Sequence, residues 1–156
     1  METRSAIVFN LADSGTKPLR WDRGFQRLMF GEHNGARNVD VHINVIKVGS
    51  GTGPYHYHER AENVYIVLEG VVEAVVEGKR YFLQKDDVAF IPPGLRHYAG
   101  NPGQEPAKVI EIYAPAGQDF HIVDDPTDIE EVVACPPGAT PLSPGTGMPT
   151  APAGEA

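Results

Sequence analysis

The 156-residue chain is poor in cysteine and in basic residues, and it has no long apolar run. Its single cysteine, Cys135, has no partner for an internal disulfide, which fits a reducing compartment. Lysine and arginine total 13 against 21 aspartate and glutamate residues, and the resulting net charge of −8 argues against a nucleic-acid groove. No segment approaches the roughly 20 apolar residues of a membrane span, and the charged N-terminus does not resemble a signal peptide. We therefore expect a soluble, cytoplasmic protein that binds neither nucleic acid nor membranes.

Short apolar segments separated by glycine- and proline-containing turns dominate the chain. Such spacing, with turns about every eight to twelve residues, is typical of an all-β sandwich or barrel. The segments predicted as strands are 6–9, 25–30, 39–48, 71–77, 80–83, 88–91 and 109–114. No internal repeat is visible, so one domain over residues 1–135 is predicted.

The C-terminal part of the chain differs from the rest in composition. Residues 125–135 predict a short helix, because Asp125 is a suitable N-cap and Pro126 a suitable first helical residue. Residues 136–156 are rich in proline, glycine, alanine, serine and threonine and contain few bulky apolar side chains. This composition predicts a disordered tail.

Three histidines stand in a pattern that points to a metal site. His56 and His58 are two residues apart, so on a β-strand both side chains would lie on one face, with Tyr57 on the other. His97 follows a second strand and the Pro93-Gly94 turn. Imidazole nitrogens from two strands are a common way of holding one transition-metal ion.

The two segments that carry these histidines resemble the two motifs of the cupins. The first runs from the glycine-rich turn at 51–53 through His56-x-His58 to Gly70, and the second reads Pro-x-Gly at 92–94, two residues, His97, three residues and Asn101. Within the second motif, the one departure is the opening glycine, which is replaced by Asp86. The chain is thus identified as a small single-domain cupin, with a motif core at 51–101. The resemblance implies a double-stranded β-helix, or jelly-roll barrel, and commonly a homodimer.

The fourth ligand position departs from the cupin pattern, which has glutamate there. Counting back from Gly70 places Asn63 at this position, whereas the shorter spacing from His58 favours Glu62. Asn63 is the preferred interpretation because the segment that follows it matches the family without a gap. An amide oxygen is a weaker donor than a carboxylate, and Glu62 or water remains the alternative.

The resemblance implies a divalent transition metal, Fe, Mn, Ni or Zn, and a small oxygenated molecule that chelates it. Cupins with three histidine ligands include dioxygenases, isomerases, lyases and decarboxylases, and others only bind a ligand. Two hypotheses follow: a metal-dependent enzyme, and a non-catalytic small-molecule-binding or sensor module. For the enzyme, Glu62 and His42 are the candidate proton carriers. His42 shares a face of its predicted strand with Asn44.

Overall fold

The computed structural model describes residues 5–117 and 119–132, and most of the regular structure in them is β-strand. Three short 3-10 helices, Leu11–Asp13, Arg20–Asp22 and Glu32–Asn34, lie in loops. The strands are β1 (Thr16–Pro18), β2 (Gly24–Phe30), β3 (Asp40–Ile46), β4 (His56–His58), β5 (Glu62–Glu69), β6 (Val72–Val76), β7 (Lys79–Leu83), β8 (Val88–Ile91), β9 (His97–Gly100), β10 (Ala107–Ala114), β11 (Phe120–Ile122) and β12 (Glu130–Glu131). Within these residues, no helix has the length and apolar character that crossing a membrane requires.

The strands form two six-stranded sheets. The first has the order β1-β2-β3-β10-β5-β8, and the second has the order β11-β4-β9-β6-β7-β12. All neighbouring strands are antiparallel except β7 and β12, which are parallel. Together the sheets make the jelly-roll barrel that the sequence predicts, and β4 and β9 bring the two histidine segments side by side.

The inner face of the first sheet changes from apolar to polar along its strands. On β10, the inward-facing residues Ala107 and Val109 are followed by Glu111 and Tyr113, all of them buried. The strands on either side follow the same order, because their inward-facing residues pair with those of β10: Ile46, Asn44 and His42 on β3, and Val67, Tyr65 and Asn63 on β5. The apolar end joins Val72, Ala74, Leu83 and Ile91 in the core. The polar end faces the histidines.

A glycine turn fixes His97 beside β4. Gly94 has a φ of +85°, in the left-handed region that favours glycine, although a Cβ there would meet no atom within 4 Å. Its N–H donates a hydrogen bond to the carbonyl of His58 at 2.7 Å. The turn therefore ties the start of β9 to the strand that carries the other two histidines.

The predicted C-terminal helix is wrong for residues 125–132, which contain no helical turn and include the short strand β12. The N–H of Glu130 donates to the carbonyl of Gly78 at 2.8 Å, and the N–H of Val132 donates to that of Arg80 at 3.1 Å. The open edge of β7 thus supplies the hydrogen-bond partners that a helix would have supplied internally.

Side-chain packing adds to this preference for an extended chain. Val123 and Ile129 pack against a small apolar cluster of Tyr55, Val75 and Tyr98. The strand predicted at 6–9 is also absent, and β1 forms that edge of the first sheet instead. Residues 133–156, which include the end of the predicted helix and the predicted disordered tail, lie outside the described residues.

Candidate metal centre

His56, His58 and His97 form one buried cluster at the polar end of the barrel. On β4, His56 and His58 point inward, whereas Tyr57 points outward and stacks on His121. The ring centroids are 4.4 Å apart for His56 and His97, 5.0 Å for His56 and His58, and 5.4 Å for His58 and His97. One nitrogen of each ring lies within 4.8 Å of those of the other two. The three rings are called the histidine wall below.

Backbone carbonyls fix the tautomer of each ring in the histidine wall. Nδ1 lies 2.8 Å from the Pro54 carbonyl in His56, 3.1 Å from the Asp119 carbonyl in His58, and 2.8 Å from the Leu95 carbonyl in His97. Because a carbonyl oxygen only accepts, each Nδ1 carries the proton and donates it. The lone pair of each Nε2 is then free, and all three Nε2 atoms are buried without a hydrogen-bond partner in the described residues.

Burial also keeps these rings neutral. Desolvation, with repulsion from His97, lowers the pKa of His56 to about 3. Desolvation lowers the pKa of His97 to about 4, and it lowers the pKa of His58 as well. A neutral imidazole with a free Nε2 is the form that binds a metal ion, and a carbonyl partner at Nδ1 is the usual support for it.

The two candidates for the fourth ligand lie on opposite faces of β5. Asn63 is fully buried on the inner face, where its Nδ2 donates to the Ile112 carbonyl at 3.4 Å. Its Oδ1, like the three Nε2 atoms, is buried and has no hydrogen-bond partner in the described part of the chain. Glu62 is exposed on the outer face and does not belong to the histidine cluster. The structure therefore brings Asn63, and not Glu62, to the inside of the barrel.

A buried carboxylate that sequence reasoning missed, Glu111, lies across the barrel from the histidine wall. Its Oε1 accepts a hydrogen bond from Asn44 Nδ2 at 2.7 Å, and its Oε2 accepts one from the Tyr113 hydroxyl at 2.5 Å. His42 Nε2 lies 3.6 Å from the same Oε2. These four side chains, His42, Asn44, Glu111 and Tyr113, are called the carboxylate wall below. The alternation of β10 is the only sequence signal for Glu111, because it places Val109, Glu111 and Tyr113 on one face.

His42 and Glu111 form an ion pair inside the barrel. Although burial lowers the pKa of His42, its hydrogen bond to Asp40 at 3.2 Å and its contact with Glu111 raise that pKa to about 9. Burial raises the pKa of Glu111, but His42 and the Tyr113 hydroxyl outweigh it and hold that pKa well below its usual range. The carboxylate wall therefore carries one positive and one negative charge at neutral pH.

Known proteins resemble this chain both in sequence and in fold. The cupin-domain family model matches residues 42–113, which hold all three histidines and the carboxylate wall. The polyketide cyclase RemF from Streptomyces resistomycificus has a TM-score of 0.67 at 19% identity, over 80% of this chain and 89% of that one. KdgF from a Halomonas species has a TM-score of 0.64 at 18% identity, over 74% and 98%. Residues 42–113 are a cupin domain.

This chain spans only part of the length of the curated relatives that it matches. The tetracenomycin polyketide synthase protein TcmJ of Streptomyces glaucescens is 31% identical over 85 residues, which cover 53% of this chain and 56% of TcmJ. A mannose-1-phosphate guanylyltransferase of Klebsiella pneumoniae is 36% identical over 73 residues, which cover 47% of this chain and only 15% of that enzyme. These matches support the family, and the solved structures support the fold.

A cavity of about 210 Å³ lies between the two walls of this cupin. His56 lines it on the side of the histidine wall, and Asn44, Tyr65, Glu111 and Tyr113 line it from the first sheet. The ring of Phe120 also lines it and stacks on His56 with centroids 3.8 Å apart. His42 does not line the cavity, but it contacts three residues that do, Gln26, Glu111 and Tyr113. A molecule in this cavity would reach the histidine wall at His56.

Proposed function

We propose that this cupin is an enzyme that holds a divalent transition metal, Fe, Mn, Ni or Zn, at His56, His58 and His97 and acts on a small oxygenated molecule. The observation that carries the proposal is the convergence of three neutral imidazoles with unpartnered Nε2 atoms beside a cavity. Asn63 Oδ1 is the proposed fourth ligand. Such an ion acts as a Lewis acid that polarises a carbonyl or carboxylate oxygen of the bound molecule.

The carboxylate wall suggests how the chain would assist the reaction. Glu111 and Tyr113 line the cavity and hold a hydroxyl proton between them, and the Tyr113 ring lies 4.7 Å from that of His58. We assign them the task of orienting a hydroxyl or enol of the substrate and exchanging a proton with it. His42 then becomes a positioning residue that stabilises the charge of Glu111. The outward-facing Glu62 has no part in this proposal.

Acid–base groups opposite a Lewis-acid site favour proton-transfer chemistry, as in an isomerase, lyase, cyclase or decarboxylase. The name of the neighbour RemF, a polyketide cyclase, is consistent with that class. A dioxygenase is the second candidate within the enzyme hypothesis. Oxygen consumption by the iron-loaded protein, compared with turnover by the zinc-loaded protein, would separate the two.

The metal proposal is tested by elemental analysis of the purified full-length chain and of His58→Ala. We expect about one ion per wild-type chain and loss of at least about tenfold in metal affinity in the variant, because one of three strong donors is gone. The matched control is His121→Ala, since His121 lies on the outer face against Tyr57. Wild-type protein without metal, or a variant that retains it fully, would contradict the proposal. A variant that loses its fold together with the ion would indicate a structural metal and a binding module instead.

A further inference from the structure

Arg23 is a buried cation in the cavity wall without a carboxylate partner. Its side chain is only 6% exposed, and it lines the cavity. Nη2 donates to the Ala99 carbonyl at 2.7 Å and Nε donates to the Gly51 carbonyl at 3.4 Å. Among the described residues, Nη1 has no hydrogen-bond acceptor, and no carboxylate lies within 4.0 Å of the guanidinium. A buried charge of this kind is stable only when something compensates it.

Tyr65 offers a second unused donor in the same cavity. It lies on the inner face of β5, is 2% exposed and lines the cavity with Arg23. Its hydroxyl forms no hydrogen bond with any residue that the structure describes, which is unusual for a tyrosine buried this deeply. The guanidinium and the hydroxyl are thus two donors that the protein does not satisfy by itself.

Among the described residues, the two carboxylates nearest the cavity, Asp40 and Glu111, pair with His42, and neither makes an ion pair with Arg23. Burial lowers the pKa of the Arg23 guanidinium, whereas Glu111 attracts it from a distance and raises that pKa. The nearest cation to Glu111 is His42, however, and each of its oxygens accepts one hydrogen bond, from Asn44 or from Tyr113. The neutral Asn63 adds no negative charge where the family has a carboxylate.

We propose that Arg23 and Tyr65 form an anion-binding site that holds the carboxylate of a small hydroxy acid. The fork of a guanidinium matches a carboxylate, and the tyrosine hydroxyl adds a third donor. The hydroxyl of the ligand then faces Glu111, whose carboxylate accepts from it. The cavity volume of about 210 Å³ lies below the roughly 300–1,000 Å³ of pockets for drug-sized molecules. This inference names the substrate class of the proposed enzyme and rests on that proposal for its catalytic meaning.

The test compares L-lactate with L-lactamide as probes by isothermal titration calorimetry on the full-length chain. The two molecules have nearly the same shape and both carry the hydroxyl, but only lactate carries a negative charge. Each titration is made on protein freed of metal by chelation and again on zinc-loaded protein. Because a metal ion itself attracts carboxylates, a preference that persists in the chelated protein is due to protein donors. We expect lactate to bind about tenfold more tightly than lactamide in both forms.

Tyr65→Phe is the decisive variant, because the hydroxyl that it removes has no partner in the fold. We expect it to lower the preference for lactate about fivefold or more while leaving the unfolding temperature unchanged. Arg23→Lys keeps the charge and loses the fork, so the preference falls further, and its thermal unfolding is recorded to separate binding from stability. Tyr57→Phe on the outer face and Arg37→Gln on an exposed loop are the matched controls, and both keep the wild-type preference.

The outcomes distinguish this inference from the metal proposal. Equal affinity for the two probes, no measurable binding of lactate, or an unchanged preference in Tyr65→Phe would each overturn the anion site. The zinc content of the same samples tests the metal centre separately. If lactate is preferred but no zinc binds, the anion site stands and the metal proposal is refuted. If zinc binds but lactate is not preferred, the metal proposal stands and the anion site is refuted.

Discussion

The histidine wall and the carboxylate wall face each other across one cavity, and they treat their buried polar atoms differently. In the carboxylate wall, both oxygens of Glu111 accept hydrogen bonds, and the charge is balanced by His42. In the histidine wall, each Nδ1 donates to a carbonyl while each Nε2 stays unpartnered. Among the described residues, the carboxylate wall leaves one buried side-chain atom unpartnered, Asn44 Oδ1, whereas the histidine wall leaves three ring nitrogens that a metal ion would satisfy.

The free-energy consequences of this difference are large. A buried polar atom without a partner costs about 1–3 kcal/mol, so three Nε2 atoms and Asn63 Oδ1 together oppose folding. A bound metal ion would remove this cost, whereas it would change little in the carboxylate wall. We therefore expect a bound metal ion to stabilise the histidine wall. Substitutions in the carboxylate wall should lower the stability of the protein even when no ligand is bound.

The largest effect expected from breaking the carboxylate wall comes from Glu111→Gln, which keeps the shape and removes the charge. Protonated His42 then keeps Asp40 but loses its fully buried carboxylate partner, and the free energy of unfolding should fall by about 3 kcal/mol. Urea denaturation at neutral pH measures the change. Glu62→Gln is the control, because an exposed residue should change the same quantity by less than about 0.5 kcal/mol. Equal losses in the two variants would mean that the ion pair does not stabilise the fold.

The two walls should also give the metal-free protein opposite responses to pH. His56 and His97 have folded pKa values of about 3 and about 4, below the unfolded value of 6.5. The unfolded chain therefore binds more protons below pH 6.5, and the free energy of unfolding falls as the pH drops toward 4. His42 has a folded pKa of about 9, so its contribution is complete below pH 6.5 and is lost as the pH rises toward 9.

Stability should accordingly be greatest near pH 6.5, with a change of up to about 1.4 kcal/mol per pH unit for each proton concerned. Urea denaturation over that pH range measures both limbs. In His42→Gln the decline on the alkaline side should disappear, while the acidic limb persists. A stability that rises steadily through pH 9 would contradict the protonated state assigned to His42.

The histidine wall could be predicted from the sequence because its signals are local. His56-x-His58 and the Pro93-Gly94 turn before His97 are read within a few residues, and strand alternation supplies the shared face. The all-β fold was predictable for the same reason, since alternation and turns define most of its strands, and the jelly-roll form, which the cupin resemblance implied, is confirmed. The structure adds the pairing of β4 with β9 that brings His56 and His97 together.

Glu111 was not predictable in the same way, because its position depends on partners far along the chain. The sequence indicates a strand at 109–114, but only the register of β10 between β3 and β5 places Glu111 beside His42 and Tyr65. The predicted helix failed for a related reason. The capping signal at Asp125 is local, and hydrogen bonds to the distant edge of β7 outweigh it.

Asn63 is the neutral side chain that we propose as the fourth ligand of the histidine wall. Its variants test the smallest of the expected effects. Asn63→Leu keeps nearly the same volume and removes the oxygen, so the metal affinity should fall about tenfold while one ion still binds. Asn63→Asp should bind the ion more tightly than wild type, because a carboxylate is a stronger donor, yet it should be less stable without metal. Competition with a chromogenic chelator measures both affinities. If the leucine variant keeps the wild-type affinity, the Asn63 oxygen is not a ligand and water takes that position at the ion.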